Sequence, residues 1–289
     1  MAPRLPLPTS SAVPVLSLLP TSHTPFKLVY ASHGRWPLLP DAEQSSARSP
    51  TPLRISVLDS SFNPPHLAHL SLAQHGDYDA HLLALTIGNP DKGRLEQSAV
   101  AVRVEMMRAL ALDLQRRAGE PGGKKGWANV AVAVMEAPTF TSKSRILREE
   151  LDALAREQTG RDDASVRLTF PVGWDTVIRI FAPRYYQPPN PDLASSMHDL
   201  FGTDDSSVTC ARRGDISRSE ESEFLAGPEV QKWARQGKVE LFDLPDEARA
   251  ISSTAIRAAV QEDRWDDVAR SIPVKGIVDI VRRDRLYRQ

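Results

Sequence analysis

Short β-type runs alternate with longer helical patterns from residue 53 onward, and this alternation is what most constrains the fold of the chain. Apolar and β-branched runs cover residues 54–58, 81–87, 130–135, 166–172, 207–211 and 238–244. Helical spacing of apolar residues covers residues 67–73, 98–114, 142–156 and the part after residue 251. Such alternation predicts an α/β protein whose parallel sheet has helices on both faces. Ligands of such sheets bind at the carboxyl ends of the strands.

The turn after the first predicted strand carries two histidines. Residues 60–69 read Ser-Ser-Phe-Asn-Pro-Pro-His-Leu-Ala-His, so His66 and His69 lie three residues apart at the expected start of a helix. This spacing places both imidazoles on one face. A helix start offers free backbone N–H groups and a partial positive charge, which suit a phosphate group. The pair therefore predicts a phosphate site, and a capping histidine beside a packed one is the structural alternative.

A second polar cap lies near the other end of the chain. Residues 251–257 read Ile-Ser-Ser-Thr-Ala-Ile-Arg, and three hydroxyl residues before a helical run are typical of helix N-caps. We expect Arg257 to project from the first turn of that helix and to add a fixed guanidinium fork to a phosphate site. Taken alone, the segment also fits an ordinary capped helix with a surface arginine.

Together these two segments resemble the nucleotidyltransferase superfamily, whose signatures are (H/T)xGH and ISSTxIR. Residues 138–141, Pro-Thr-Phe-Thr, resemble the PSYT stretch of nicotinate and nicotinamide mononucleotide adenylyltransferases, and residues 173–177, Gly-Trp-Asp-Thr-Val, resemble their GxD element. The tail, with Ile-Pro-Val at 272–274 and Leu286-Tyr287, is similar to that family's ending. The resemblance covers residues 53–289. It implies a Rossmann-like sheet of the nucleotidyltransferase type, and transfer of AMP from ATP to nicotinamide mononucleotide to give NAD and pyrophosphate.

The resemblance also implies roles for individual residues. His66, His69 and Arg257 are the expected catalytic residues, because transfer between two anions needs aligned and neutralised phosphates rather than a covalent intermediate. Mg²⁺ would arrive on the ATP phosphates, and no metal ligand is assigned to the protein. The expected ATP-binding residues are Ser60, Ser61, Phe62, Asn63, Gly173, Asp175, Ser252, Ser253 and Thr254. The expected mononucleotide-binding residues are Lys92, Arg94, Phe140, Thr141 and Trp174, with Trp127 as a further candidate to stack on the pyridine ring.

Two positions depart from the family pattern. Ser60 stands where the first motif usually opens with glycine, and Ala68 replaces the glycine inside HxGH. Glycine permits close backbone approach to a nucleotide, so either side chain is expected to narrow the site or to change its substrate. Two alternatives therefore stay open. One is another small-molecule nucleotidyltransferase, of the cytidylyltransferase or pantetheine-phosphate type, and the other is a non-catalytic protein that binds nucleotide or protein partners.

The composition of the chain changes near residue 53. Residues 1–52 are rich in Pro and Ser, and their acidic residues are Asp41 and Glu43. This composition predicts a largely disordered leader, of which residues 26–30 are the part that we expect to order against the domain. Residues 53–289 are predicted to form the nucleotidyltransferase domain, and residues 183–227 within it read as a polar, insertion-like section.

The net charge and the cysteine content limit the kinds of partner and of covalent cross-link that we expect. Lys and Arg number 36 against 37 Asp and Glu, for a net charge of -1, which disfavours a nucleic-acid binder that depends on bulk positive charge. No apolar run reaches the ~20 residues of a membrane helix, and a single cysteine, Cys210, excludes an internal disulfide. We expect ATP and a mononucleotide as partners, with no nucleic acid and no membrane, while a homo-oligomer stays open. A cytoplasmic location is expected, the nucleus is the alternative, and the leader's prolines argue against a mitochondrial presequence.

Overall fold

The computed structural model describes residues 19–21, 24–39, 52–89, 93–188, 191–212 and 216–288. The strands are β1 (Phe26–Ala31), β2 (Leu53–Asp59), β3 (Ala80–Thr86), β4 (Gly88–Asn89), β5 (Gly93–Arg94), β6 (Val130–Met135), β7 (Val166–Gly173), β8 (Ser207–Arg212) and β9 (Val239–Asp243). The α-helices are α1 (Leu67–Gln74), α2 (Gln97–Ala118), α3 (Lys125–Ala128), α4 (Phe140–Thr159), α5 (Trp174–Ile180), α6 (Leu193–Met197), α7 (Arg218–Ala226), α8 (Pro228–Ala234), α9 (Asp246–Arg249), α10 (Ser253–Gln261), α11 (Trp265–Ser271) and α12 (Lys275–Arg283). A short 3₁₀-helix (Pro183–Tyr185) and a π-helix (His198–Thr203) flank α6.

Seven strands form one sheet in the order β1-β6-β3-β2-β7-β8-β9, and β4 and β5 form a separate antiparallel pair. The six strands from β6 to β9 are parallel, whereas β1 pairs antiparallel with β6 at one edge. Along the chain the sheet grows in one direction from β2 through β3 to β6, and then in the other from β7 to β9. The order therefore reverses between β2 and β7, which is the switch point where doubly wound sheets of this kind bind ligands.

Two hydrophobic cores lie on the two faces of the sheet. The six residues of β6, Val-Ala-Val-Ala-Val-Met, are all buried, as expected for a strand that is covered on both sides. Its valines at 130, 132 and 134 pack in the core that includes α1, α2 and α10–α12. Residues 131, 133 and 135 face the other core, which includes α4, α5 and the π-helix. The period-2 alternation of a strand thus distributes one apolar run over two helical layers.

The chemistry of the helix ends explains where α4 begins and stops. The Thr139 hydroxyl accepts a hydrogen bond from the Ser142 N–H (3.1 Å), and the Ser142 hydroxyl accepts one from the Thr139 N–H (3.1 Å). This reciprocal capping box pins the first turn directly after β6. Gly160 ends the helix at φ +65°, a left-handed conformation that favours glycine. The first turn of α4 is thereby held at the carboxyl end of the sheet.

The prediction of an α/β protein with a parallel sheet, helices on both faces and a helical C-terminal segment is confirmed. Residues 26–30, singled out within the leader, lie in β1 and are part of the sheet. The division of domains at residue 53 stays a prediction. The section at 183–227 contains β8, which pairs in parallel with both β7 and β9. Within the described residues, none of the helices combines the length and the apolarity needed to cross a bilayer.

Candidate active site

A cleft of about 260 Å³ lies at the carboxyl end of the sheet, beside the point where the strand order reverses. It draws residues from the end of β2, from β3 and β4, from the first turn of α4, from α5, and from the 3₁₀-helix that follows α5. The lining residues are Asp59, Ser60, Ser61, Thr86, Gly88, Pro138, Thr139, Phe140, Lys143, Thr176, Arg179, Ile180, Tyr185 and Tyr186. The fold thus places the predicted Ser60, Ser61 and Phe140 around one concave surface.

The two motif histidines lie side by side at the start of α1. His66 is the N-cap and His69 is the third helical residue, and their ring centroids are 3.9 Å apart. Both side chains are buried. The His66 N–H donates to His69 Nδ1 (3.2 Å), and His69 Nε2 lies 2.9 Å from the Ser60 hydroxyl. His69 is therefore held through both ring nitrogens, one toward the helix start and one toward the cleft.

The turn between β2 and α1 has an unusual backbone. Phe62 adopts φ +46°, in the left-handed region that is uncommon for bulky residues. Its side chain is fully buried, and its ring centroid lies 5.3 Å from that of His69. The Phe62 ring thus packs beside the His69 ring, and its side chain does not line the cleft.

The start of α10 docks on this turn, although almost 190 residues separate the two segments in the sequence. The Ser252 hydroxyl caps the helix by accepting from the Ala255 N–H (3.2 Å), and the Ser253 hydroxyl donates to the Pro64 carbonyl (3.0 Å). Arg257 donates to the Asn63 carbonyl (2.9 Å) and to the Thr254 hydroxyl (3.1 Å). The structure therefore brings together the two predicted phosphate-binding segments.

Arg103 of α2 and Tyr287 of the C-terminal tail also reach this turn. No local pattern predicted the Arg103 contact, and Tyr287 was singled out only as part of the tail that resembles the family's ending. Arg103 donates to the Ser61 carbonyl (3.1 Å), and the Tyr287 hydroxyl donates to Asn63 Oδ1 (2.8 Å). Burial lowers the pKa of Arg103, and the neighbouring Arg257 guanidinium adds to that effect. Burial raises the pKa of Tyr287 to about 12. Two guanidinium groups thus converge on one turn, which gives it the positive charge that a polyanion needs.

A buried ion pair lies at the floor of the cleft. Lys143 of α4 pairs with the Asp59 carboxylate, which also accepts a hydrogen bond from the Thr86 hydroxyl (2.7 Å). The Lys143 ammonium lies 4.5 Å from the centroid of the Phe140 ring, a cation–π distance. Sequence reasoning missed this pair because a lysine and an aspartate 84 positions apart have no local signature of contact.

Arg179 of α5 is a further cation of the cleft that the sequence did not reveal. It lines the cleft, is exposed, and has no ion-pair partner among the described residues. Together with the neutralised pair of Lys143 and Asp59, it gives the lining a positive excess. The cleft is therefore suited to an anionic ligand that also presents a ring to Phe140 and Tyr185.

Several predicted residues lie outside this lining. Gly173 and exposed Asp175 form the start of α5 at the end of β7, next to the cleft residue Thr176. The Arg94 side chain forms an ion pair with Glu136 at 3.3 Å. The Thr141 hydroxyl donates to the Ser196 carbonyl (3.3 Å).

Of the three aromatic residues considered for stacking, Phe140 alone lines the cleft. Trp174 packs edge-on against Phe224, with ring centroids 5.2 Å apart. Trp127 lies in α3, which precedes β6 at the opposite end of the sheet. Lys92 lies outside the described residues.

The donor set around the turn suits phosphate better than a protein-bound metal ion. Histidine, arginine and hydroxyl groups dominate it, and the Asp59 carboxylate is already occupied by Lys143 and Thr86. Among the residues that the structure describes, no group of three or more His, Cys, Asp or Glu side chains is placed to hold a metal ion.

Comparison with known proteins supports the motif-based resemblance. The chain is 34% identical over 134 residues to a putative nicotinamide mononucleotide adenylyltransferase of Schizosaccharomyces pombe (strain 972 / ATCC 24843). The match covers 46% of this chain and 44% of that protein, so the chain spans less than half of the curated relative. The resemblance to nicotinamide mononucleotide adenylyltransferases is thereby confirmed. No family model matches the chain.

The comparison with solved structures found the following two, among others. Nicotinic acid mononucleotide adenylyltransferase of Plasmodium falciparum, complexed with APC, superposes with a TM-score of 0.46 at 16% identity, over 81% of this chain and 97% of that chain. TmcAL of Thermotoga maritima, bound with alpha-thio ATP, superposes with a TM-score of 0.37 at 15% identity, over 80% of this chain and 56% of that chain.

Proposed function

We propose that this protein is a nicotinamide-nucleotide adenylyltransferase, which transfers AMP from ATP to nicotinamide mononucleotide and releases pyrophosphate. The docking of α10 on the turn at 60–66 is the observation that carries this proposal. It gathers two imidazoles, the Arg257 guanidinium and a capped helix start around one small region. Such a set of fixed donors is suited to the charge of a triphosphate.

In the proposed reaction, a phosphate oxygen of the mononucleotide attacks the α-phosphorus of MgATP. The bond between that phosphorus and the α–β bridging oxygen breaks, and pyrophosphate leaves with the electron pair. No covalent enzyme intermediate is needed, so the protein acts by alignment and by charge stabilisation. His66 and His69 would stabilise the charge that develops on the phosphates, while Arg257 and the helix start at Ser253-Thr254 would hold the β- and γ-phosphates.

The cleft would take the mononucleotide. It adjoins the turn through Ser60 and Ser61, and it offers Phe140 for ring packing and Arg179 for negative charge. Gly173 and Asp175 at the start of α5 would bind a ribose hydroxyl, as the motif resemblance implies. We keep Lys92, Arg94, Thr141 and Trp174 as proposed contacts of the mononucleotide.

An assay of pyrophosphate release tests this function. Purified protein is incubated with ATP and Mg²⁺ and with one acceptor at a time: nicotinamide mononucleotide, nicotinate mononucleotide or phosphopantetheine, and CTP replaces ATP for cytidylyl acceptors. We expect pyrophosphate and NAD with nicotinamide mononucleotide. Product from another acceptor only would favour a different nucleotidyltransferase. ATP binding without turnover would favour a non-catalytic protein. This alternative is included because Ser60 and Ala68 carry side chains at the glycine positions of the motif.

A further inference from the structure

The hydrogen bonds of His69 define which ring nitrogen carries the proton. A backbone N–H can only donate, so the His66 N–H makes His69 Nδ1 an acceptor. In a neutral imidazole the proton then lies on Nε2. The Nε2–H therefore donates to the Ser60 hydroxyl oxygen, at 2.9 Å.

Ser60 stands between this histidine and the cleft. Ser60 lines the cleft, whereas the buried His69 ring is not part of the lining. A serine hydroxyl has one hydrogen to donate in addition to its lone pairs. One lone pair of the Ser60 hydroxyl accepts the hydrogen bond from His69 Nε2–H. Among the described residues, the hydroxyl hydrogen of Ser60 meets no acceptor. One oriented donor is thus left at the cleft surface.

We propose that the Ser60 hydroxyl donates directly to a phosphate oxygen of the nucleotide while it accepts a hydrogen bond from the Nε2–H of His69. This inference rests on the proposed function and adds an atomic contact to it. Ser60 is then the group that touches the ligand, and His69 is a positioning residue that orients and polarises the hydroxyl. No proton changes owner, because each hydrogen stays on its donor. Hydrogen bonds in such chains strengthen one another.

The proposal also accounts for the serine at a glycine position of the motif. With glycine, a phosphate could approach the Nε2–H of the imidazole itself, because no Cβ would stand in the way. With serine, direct approach is obstructed, and the hydroxyl replaces it as donor. Alanine would combine the obstruction with the loss of the donor. The three residues therefore predict an order of activity in which alanine is the worst.

A thermodynamic cycle on ATP affinity tests the proposed contact. Calorimetric titration with MgATP is compared among the wild type, Ser60→Ala, His69→Ala and the double variant. We expect Ser60→Ala and His69→Ala each to weaken ATP binding by about tenfold, the effect of one hydrogen bond to a charged group. The double variant should bind no more than about threefold worse than either single variant, because both changes remove the same contact. Fully multiplicative losses, or a Ser60→Ala affinity within about twofold of the wild type, would overturn the proposal.

Turnover supplies a second readout that a purely structural role of Ser60 would not move. We expect kcat of Ser60→Ala to fall by about tenfold or more, and Ser60→Gly to recover at least about fivefold over Ser60→Ala. Equal rates for the alanine and glycine variants would count against the contact. Ser71→Ala is the matched control, because the Ser71 hydroxyl donates to the Leu67 carbonyl within α1.

The two proposals fail in different ways. A wild type that binds ATP in a Ser60-dependent manner but turns over no acceptor would remove the proposed function and keep the contact. A wild type that makes NAD with Ser60→Ala at the normal rate would keep the function and remove the contact. A protein that binds no ATP would remove both.

Discussion

Two histidines at opposite ends of the sheet make the same pattern of hydrogen bonds. At the amino end, His33 Nδ1 accepts from the Arg35 N–H (3.3 Å), and its Nε2 faces Asn129 Oδ1 at 3.0 Å. At the carboxyl end, His69 accepts from the His66 N–H and faces the Ser60 hydroxyl. Each ring therefore carries its proton on Nε2 and donates it in a hydrogen bond to one side-chain oxygen.

The two patterns differ in what lies beyond that oxygen. The Asn129 amide nitrogen donates to the carbonyls of Pro37 and Asp79, both at 2.8 Å, so the network at the amino end closes on the protein itself. The Ser60 hydroxyl borders a cleft and keeps a hydrogen to donate. A closed network stabilises the fold, whereas an open one is available to a ligand. The two histidines therefore have different roles despite the same local geometry. The Asn129 side chain is bonded to carbonyls of the protein, whereas the Ser60 hydroxyl borders the cleft.

The largest expected effect separates the two histidines by activity. His69→Ala should lower turnover by on the order of 10³-fold, about 4 kcal/mol, because it removes the imidazole that helps to stabilise the developing charge and also the group that orients the Ser60 hydroxyl toward the phosphates. His33→Ala should leave kcat of the folded protein unchanged. Pyrophosphate release measures both variants, and circular dichroism confirms that each is folded. Near-normal turnover of His69→Ala would erase the distinction between the two ends.

Asn129 tests the closed network, with a smaller expected effect. The residue is almost fully buried and satisfies both of its amide hydrogens. Asn129→Asp is nearly isosteric but places a carboxylate against two carbonyl oxygens, so we expect the free energy of unfolding to fall by about 3 kcal/mol. Denaturant titration measures this loss. Asn129→Ala should cost less, because it removes the amide without adding a charge, and unchanged stability of both variants would contradict the closed network.

A third prediction concerns pH and the buried His81 at the amino end of β3. Burial lowers the pKa of His81 from 6.5 to about 4, and the positive charge of Lys124 adds to this effect. The unfolded chain therefore binds a proton between pH 6.5 and about 4 that the folded protein resists. The contribution of neutral His81 to the free energy of unfolding is fully present above this pH window. It is lost as the pH falls through the window, by about 2 kcal/mol between pH 7 and pH 5.

Denaturant titrations at the two pH values measure this loss. His81→Gln should flatten the dependence, because the titrating group is gone. His33→Gln is the matched control, since the pKa of His33 is also lowered by burial, but His33 is only partly buried. If the free energy of unfolding of His81→Gln falls as much between pH 7 and pH 5 as that of the wild type, the pH dependence belongs to another group.

Much of the architecture was predictable, because local patterns determine it. The apolar run at 130–135 fits a strand buried on both faces, and the strand–helix alternation predicts parallel strands. The two motif segments were also visible, since each contains its own cap chemistry. The antiparallel pairing of β1 with β6 has no local signal, because it depends on contacts about 100 residues apart.

The part of the site that could not be predicted from the sequence consists of basic side chains on helices. Arg103, Lys143 and Arg179 lie on α2, α4 and α5, where a charged residue in a helical pattern normally indicates a solvated face. Only the packing of these helices against the carboxyl end of the sheet turns the three side chains toward the turn and the cleft. One weak signal existed for Lys143, which lies in the first turn of a helix that starts directly after a buried strand.

A crystal structure with MgATP or a non-hydrolysable analogue tests the central claim most directly. In the proposed function, the turn at 60–66 and the start of α10 together bind one polyphosphate chain. We predict phosphate oxygens within hydrogen-bonding distance of Ser60 or the histidine pair on one side and of Arg257 or Thr254 on the other. A triphosphate that contacts only one of these segments, or that lies away from both, would contradict it.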